Sequence, residues 1–182
     1  ATGEGGVLPS RAAKYFTVNK ERKDLTAEEY VQYATLKGQA SYQLVRDLTE
    51  SRAYQAMNDE EKAAAVKNAY DLANQTAKAE ISTFGAESWV QKALEAQKEY
   101  GIPRETYIVL KTKTAGIESL KDKDGETIDN SRSLLIMEVV YNTPGLSDKQ
   151  RKAMLEYLGV GKKVQHMNKA AVREKLERMR KG

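Results

Sequence analysis

The sequence predicts an all-α protein, an irregular bundle of about seven helices with a short extended or hairpin arm at its N-terminus. Apolar residues recur at helical spacing along most of the 182 residues, and only three prolines interrupt them. The 12 glycines stand mainly where one periodic segment ends and the next begins. With 40% hydrophobic residues and a mean hydropathy of −0.68, the chain is polar but keeps the apolar content of a folded domain.

Residues 1–10 are rich in glycine and predict a flexible lead. The chain begins at Ala1 without a methionine, which indicates a processed product, an excised domain or an expression product. The β-branched and aromatic segment Tyr15–Val18 precedes a turn at Asn19, and Arg22–Leu25 can return. These features predict the extended arm or hairpin.

A capping box at Thr26–Glu29 predicts a helix that runs to about Ser51. Gly38 interrupts it at a cost of about 1 kcal/mol. A short helical piece should follow and end near Met57. The predicted apolar face of the first helix consists of Tyr30, Tyr33, Ala34, Leu36 or Lys37, Ala40, Leu44 and Leu48.

The next start signal is Asn58–Glu61, which places acids at the positive end of a helix. An alanine-rich helix from Lys62 to Phe84 follows, with Gly85 as its predicted C-cap. Glu87–Tyr100 predicts another helix, and Gly101 ends it.

Pro103 suits the first position of the following helix. Thr106–Leu120 is rich in β-branched residues, so a strand competes there, but we predict a helix. After a polar loop over 121–129, Asn130 or Ser131 should cap an apolar helix, Arg132–Tyr141, which we expect to be the most buried element.

A second capping box at Ser147–Gln150 predicts a helix through Leu158, which Gly159 ends. A connector leads to Asn168, the predicted cap of a final helix whose apolar stripe is Val172, Leu176 and Met179. We therefore predict a lead over 1–10, a helical domain over 11–159, and a basic C-terminal helix within 160–182 that packs on the same domain.

The composition excludes several kinds of site. Without cysteine there is no disulfide framework, thiolate zinc site or cysteine nucleophile. The single histidine, His166, has no second metal ligand and no orienting acid nearby in the sequence. No apolar run approaches 18 residues, so we expect no membrane span. We predict no catalytic residue and no cofactor.

Asp122–Gly125 resembles the middle of a calcium loop, but the register fails. With Gly125 at the sixth position, Leu120 would take the first position and Ser131 the twelfth, and neither is a calcium ligand there. An Asp/Gly turn is favoured. Asp122, Asp124 and Asp129 remain weak candidates for a looser cation contact.

The formal charge is +4, and it is uneven. From Leu146 onward there are 11 Lys or Arg against four Asp or Glu, a net charge of +7, which leaves −3 for the rest. This basic segment is either a solvated face or a surface for nucleic acid or a partner. Its candidate binding residues are Lys162, Lys163, Lys169, Arg173, Arg178, Arg180 and Lys181.

The pair Glu87-Ser88 permits one enzymatic hypothesis, because lysozyme-like transglycosylases present their acid on a helix as Glu-Ser. The Gly- and Gln-containing stretch that should follow is missing. Glu87 also stands where the first turn of a helix favours an acid, so a structural role is favoured.

Three segments carry a family resemblance: Tyr100–Tyr107, Lys121–Ile128, and Leu146–Gln150 with Leu155–Gly159. Their order resembles a helical region of large virion-associated proteins from phages and prophages of gut Firmicutes. Met57–Lys62, before the alanine-rich helix, is similar to the same proteins. In that family a Gly-Ser-Lys run commonly follows the Thr-Ile of the loop. Here the run is Asp129-Asn130-Ser131-Arg132, which weakens any ligand role for the loop.

The resemblance implies a non-enzymatic structural or interaction module of a phage virion or virion-associated protein. Its partners would be other virion subunits or further copies of itself, and its location the virion or the cytoplasm of the bacterial host. One alternative is a nucleic-acid-binding accessory protein that uses Lys162–Lys181. The other is a peptidoglycan-cleaving enzyme that uses Glu87.

Overall fold

The computed structural model describes residues 27–81 and 86–182, and within them eight helices hold 72% of the residues and no strand is present. The all-α prediction is confirmed. The predicted lead, the N-terminal arm, the Thr26 cap and the end of the alanine-rich helix at Phe84 and Gly85 lie outside the described residues. The chain divides into two compact units, Ala1–Leu94 and Glu95–Gly182.

Several of the helices follow one another with short connections, as the spacing of caps and glycines predicts, and two longer segments, 116–130 and 158–168, separate the others. They are α1 (Ala27–Glu50), α2 (Arg52–Gln55), α3 (Asp59–Ile81), α4 (Ser88–Tyr100), α5 (Arg104–Ala115), α6 (Ser131–Tyr141), α7 (Asp148–Tyr157) and α8 (Lys169–Lys181). No helix of the described chain has an apolar stretch long enough to span a bilayer.

The first unit is organised around the pairing of α1 with α3. Tyr33, Ala34, Leu44 and Leu48 are buried, which confirms the predicted face of α1 at these positions. Small residues of α3, among them Ala65, Ala69 and Ala73, are also fully buried and permit close helix packing. The Tyr33 hydroxyl donates a hydrogen bond to the side chain of Asn74 and fixes the two helices against each other.

The turn between α1 and α3 is closed by local caps. The Ser51 hydroxyl accepts a hydrogen bond from the Tyr54 N–H at 3.2 Å and starts α2. At the start of α3, Asn58 accepts from the Glu61 N–H at 2.8 Å, and the Glu61 carboxylate accepts from the Asn58 N–H at 3.2 Å. The predicted start signal at Asn58 is therefore a reciprocal capping box.

In the second unit, α5 is a helix despite its β-branched residues. It buries Tyr107, Ile108, Val109, Leu110, Thr112 and Thr114. The Thr114 hydroxyl donates to its own helix at the Leu110 carbonyl, 2.8 Å away, so its burial leaves no unpaired donor. The helix ends at Ala115 rather than at Leu120, because Leu120 pairs with the following turn through the Ile128 N–H.

The start of α6 corrects a second expectation. Asn130 has a left-handed backbone with φ of 64° and makes no capping hydrogen bond with its side chain. The Ser131 hydroxyl accepts from the Leu120 N–H at 2.9 Å instead of capping the helix. With five buried side chains against six in α5, α6 is not the most buried element.

The last two helices start as predicted. Ser147 and Gln150 form a complete capping box at α7, and the Asn168 side chain accepts from the Ala171 N–H at 2.8 Å at α8. Val172 and Leu176 are buried where α8 packs against α6 in the same unit. The sequence gives no sign of the division at Leu94, and the ranges 1–10, 11–159 and 160–182 remain predictions.

Candidate functional site

The most distinctive surface in the described chain is a second stripe on α1. Its six positions are separated by four and three residues alternately, which is the spacing of a coiled-coil contact. Val31 is 62% exposed and Tyr42 is 69% exposed, although both are large and apolar. None of the six residues is charged. We call this stripe the α1 seam: Val31, Thr35, Gly38, Tyr42, Val45 and Thr49.

A groove opens beside the middle of the seam, between α1 and α3. Its volume is about 420 Å³, and it is lined by Lys37, Gly38, Ser41, Tyr42, Tyr70, Asp71 and Asn74. The Tyr70 ring is half exposed on the α3 side. Apart from the backbone of its own helix, a Cβ atom added at Gly38 would meet no described atom within 4 Å, so the described residues leave the groove open above the glycine.

Among the described residues that line the groove, Ser41 has a buried side-chain oxygen without a hydrogen bond. The residue is only 7% exposed, and its hydroxyl has no hydrogen-bond partner among the residues that the structure describes. A buried hydroxyl without a partner costs about 1–3 kcal/mol. The wall of the groove therefore holds a buried polar atom that the described residues leave without a hydrogen bond.

Sequence reasoning found the buried face of α1 and missed the seam. A search for a single apolar stripe stops once Tyr33, Leu44 and Leu48 account for the helix. The signal that could have found the seam is the run of uncharged residues with heptad spacing, Val31 to Thr49, in a helix that is otherwise rich in charges and glutamines.

The predicted basic residues lie on α8 and on the connector before it. Val172 and Leu176 of α8 face α6. Lys169 lies four residues before Arg173, and Arg180 lies seven residues after it, so these three side chains share one side of the helix. The seven predicted cations do not form one continuous positive surface, because three of them are already in ion pairs. Arg180 contacts Glu138 at 3.3 Å, Arg178 contacts Glu174 at 3.4 Å, and Lys162 contacts Glu156 at 3.8 Å.

The other four basic candidates carry uncompensated charge. Lys163, Lys169, Arg173 and Lys181 are exposed and form no ion pair with any residue of 27–81 or 86–182. The positive surface that remains available is therefore smaller than the net charge of the segment suggests.

The Asp122 loop is a turn held by its own side chain. Oδ1 of Asp122 accepts hydrogen bonds from the Asp124 and Glu126 N–H groups, each at 2.9 Å, and Gly125 has a positive φ of 79°. An isolated antiparallel bridge joins Lys121 to Thr127. Among the described residues, no three His, Asp or Glu side chains converge as metal ligands, so the structure does not bring Asp122, Asp124 and Asp129 together as a site.

Glu87 is tied to α3 at the surface. Its N–H donates to Oε1 of Gln75 at 2.8 Å, and its carboxylate accepts from Nε2 of Gln75 at 2.5 Å. Lys78, also on α3, is buried, and that burial lowers the pKa of its ammonium group while the charge of Glu87 opposes the decrease. Glu87 thus anchors the start of α4 electrostatically, and His166 lies exposed on the connector.

An acidic and aromatic cleft of about 530 Å³ lies between the end of α4 and α7. The Tyr157 ring packs edge to face with Tyr100 and Tyr107, with ring centroids 6.2 and 6.1 Å apart. Burial, reinforced by Glu95, raises the pKa of Tyr157 to about 12. Three glutamates face one lysine here, and the complete lining is Glu95, Glu99, Tyr100, Lys149, Ala153, Glu156 and Tyr157.

Comparisons with family models, with curated proteins and with solved structures found no match to this chain.

Proposed function

We propose that this chain is a non-enzymatic structural module that joins a multi-subunit assembly through the α1 seam. One observation carries the proposal: the large apolar side chains that are exposed in the described chain, Val31, Tyr42 and Tyr70, all lie on the α1 and α3 pair. An exposed apolar patch of this kind is typical of an interaction site.

The chemistry of the surface suits a protein partner. Tyrosine is enriched in the cores of protein interfaces because its ring is large and rigid and its hydroxyl still finds a partner there. The seam carries no charge, so a partner can cover it without burying an unpaired ion. A partner that packs along it would remove Val31 and Tyr42 from water together.

The identity of the assembly rests on the sequence resemblance. Tyr100–Tyr107, Lys121–Ile128 and Leu146–Gln150 resemble a helical region of phage virion-associated proteins. This resemblance supports the virion as the place where the module acts. Other virion subunits and further copies of this chain are the partners we propose.

The test is incorporation of the chain into particles. We expect mass spectrometry of purified particles to find the chain in constant stoichiometry to the other subunits. A Val31→Glu, Tyr42→Glu double variant should fold, with an unchanged helical circular dichroism spectrum, but be absent from particles. Gln97→Glu, which adds a charge at an exposed position outside the seam, is the control and should be incorporated normally. Absence of the unmodified chain from particles would refute the virion proposal.

A second candidate function is nucleic-acid binding, which the uncompensated cations Lys163, Lys169, Arg173 and Lys181 favour. Four phosphate contacts on duplex DNA would give a slope of about −3.6 for log K against log salt. Arg173→Ala should reduce this slope by about 1. Arg178→Ala is the matched control, since its guanidinium is already engaged by Glu174. Fluorescence anisotropy that detects no binding at low salt would remove this candidate.

A further inference from the structure

We infer that the α1 seam binds the α1 seam of a second copy of this chain, antiparallel, with the two-fold axis at Gly38. The inference rests on the proposed function, because it takes the seam as a docking surface and names its occupant. It adds a partner, an orientation and a register.

Two apolar residues of the seam lie symmetrically about the glycine. Val31 and Val45 each lie seven residues from Gly38, one on either side. In a contact with two-fold symmetry, residue i of one copy meets residue j of the other, and j meets i. An axis at Gly38 therefore places Val31 opposite Val45 of the second copy, twice per interface.

Gly38 suits a crossing point, and no contact among the described residues requires a glycine there. It lies within a regular helix, and its φ is not positive. No atom of a neighbouring element within 27–81 or 86–182 lies within 4 Å of the place where its Cβ would be. A glycine inside a helix costs about 1 kcal/mol relative to alanine, and the part of one copy that the structure describes shows no compensating contact. A second helix that approaches its bare backbone closely would supply one.

The same axis places two hydroxyl side chains of different copies at one level. Ser41 lies three residues after Gly38 and Thr35 lies three residues before it. The two-fold axis brings Thr35 of the second copy level with Ser41. Ser41 Oγ itself is buried and has no hydrogen-bond partner among the described residues, so the axis sets a threonine of the second copy beside the groove wall that holds this atom.

Charge favours the antiparallel orientation. Glu28 lies near one end of α1 and Arg46 near the other, ten residues before and eight after Gly38. Antiparallel pairing brings each Glu28 near Arg46 of the second copy, whereas parallel pairing would set like charges side by side. Arg46 is available, because its contact with Glu50 within the helix is an exposed pair of 3.5 Å, and such pairs contribute little.

The length of the seam is sufficient for a specific contact. Val31 to Thr49 spans about 27 Å of helix, at about 1.5 Å per residue. Tyr42 and Val31 of the seam, with Tyr70 beside it on α3, together expose on the order of 300 Å² per copy, given about 150–250 Å² for one aromatic side chain. With the remaining seam residues of both copies, the buried area reaches about 1,000 Å², the lower end for a biological interface.

Single cysteines test the register, because the chain has none of its own. Gly38→Cys should form a disulfide-linked dimer under mild oxidation, since residues on the axis come within the Cα separation of about 4.4–6.8 Å that a disulfide needs. Val31→Cys alone should not form a disulfide-linked dimer, because the two Val31 positions of such a dimer are about 21 Å apart along the helices. A mixture of Val31→Cys and Val45→Cys chains, distinguished by mass, should give the mixed dimer. Ala170→Cys, exposed on α8, measures collisional crosslinking.

Sedimentation equilibrium of the unsubstituted chain provides the second measurement. We expect a reversible dimer whose Kd rises at least about tenfold in Tyr42→Lys. A monomer at all concentrations, or Gly38→Cys no more crosslinked than Ala170→Cys, would overturn the inference. Crosslinking of Val31→Cys to itself would also overturn it, because it indicates a parallel pair. If these tests fail while the Val31 and Tyr42 double variant is still lost from particles, the seam binds another subunit and the proposed function stands.

Discussion

The side chain of Gln150 donates a hydrogen bond from Nε2 to the backbone carbonyl of Tyr100 at 3.0 Å. The same amide accepts the Ser147 N–H through Oε1 at 2.9 Å. One side chain therefore completes the capping box of α7 and satisfies a terminal carbonyl of α4, 50 residues away in the sequence. Both groups would otherwise lack intrahelical partners.

Gln150→Glu separates these two roles, because a carboxylate can still accept from Ser147 but cannot donate to Tyr100. It would also place negative charge at the negative end of the α4 dipole. We expect a loss of about 1–2 kcal/mol in the free energy of unfolding at pH 7, measured by urea denaturation. Part of it should return near pH 4, where a protonated carboxyl can donate again.

Ser147→Ala is the matched control, since it removes only the cap and should cost about 1 kcal/mol at both pH values. If Gln150→Glu is as stable as the unsubstituted chain at pH 7, the bond to Tyr100 contributes nothing and the packing of α7 alone holds the end of α4.

The two hydrogen bonds of Gln150, to Ser147 and to Tyr100, differ in whether the sequence could predict them. The capping box at Ser147 was predictable because it depends on residues three apart, and the start of α3 at Asn58 was predictable for the same reason. The bond to Tyr100 was not, because it joins groups distant in the sequence. The same limit hid the bond between the Ser131 hydroxyl and the Leu120 N–H, which replaces the predicted cap of α6.

The candidate surfaces show the same division. The exposure of Lys169 and Arg173 follows from the apolar spacing of α8 and was predictable. The pairing of Arg180 with Glu138, 42 residues apart, was not, and it removes one cation from the predicted set. The seam around Gly38 could have been predicted from spacing, but its exposure depends on which face of α1 meets α3.

Tyr107 should make the protein unstable in alkali. Burial, followed by the neighbouring Tyr157, raises the pKa of Tyr107 from 10.0 to about 12. The folded state thus holds this phenol proton more tightly than the unfolded chain does. The stabilisation that this phenol gives to the folded state is complete below pH 10 and is lost as the pH rises from 10 through 12. At about 1.4 kcal/mol per unit of pKa, the loss approaches about 2–3 kcal/mol.

Tyr107→Phe should make this alkaline decrease less steep, with the contribution of Tyr157 remaining, while leaving stability near pH 7 within about 1 kcal/mol. Chemical denaturation at several pH values between 8 and 12 measures it. Tyr42→Phe, whose ring is in solvent, controls for the loss of a phenol. An equally steep alkaline decrease in Tyr107→Phe would mean that another group is responsible.

Asp122 should act as a turn residue and not as a metal ligand. Asp122→Ala removes the acceptor for two N–H groups and should cost about 1 kcal/mol. Asp122→Asn keeps a side-chain oxygen in the same place and should cost less than half of that. Faster amide exchange at Asp124 and Glu126 in the alanine variant would locate the effect.

Calcium separates the two interpretations of the same loop. We expect millimolar Ca²⁺ to leave Tm unchanged in both the unsubstituted chain and Asp122→Asn, because Oδ1 of Asp122 is already engaged by the turn. A Tm that rises with Ca²⁺ and loses that rise in Asp122→Asn or Asp129→Asn would establish the cation site and contradict the turn assignment.

Two glycines should respond oppositely to the same substitution. Gly38→Ala places a methyl group in open space on a regular helix, so it should stabilise the monomer by about 0.5–1 kcal/mol. Gly101→Ala meets only the Gln150 amide, at 3.8 Å, but its φ of 68° is strained for any residue with a Cβ. It should destabilise the chain by about 1 kcal/mol. Both are measured by thermal and urea unfolding at a concentration where the chain is monomeric. A destabilising Gly38→Ala under those conditions would mean that the glycine serves the fold of one copy, and its place at the centre of the seam would then need no partner to explain it.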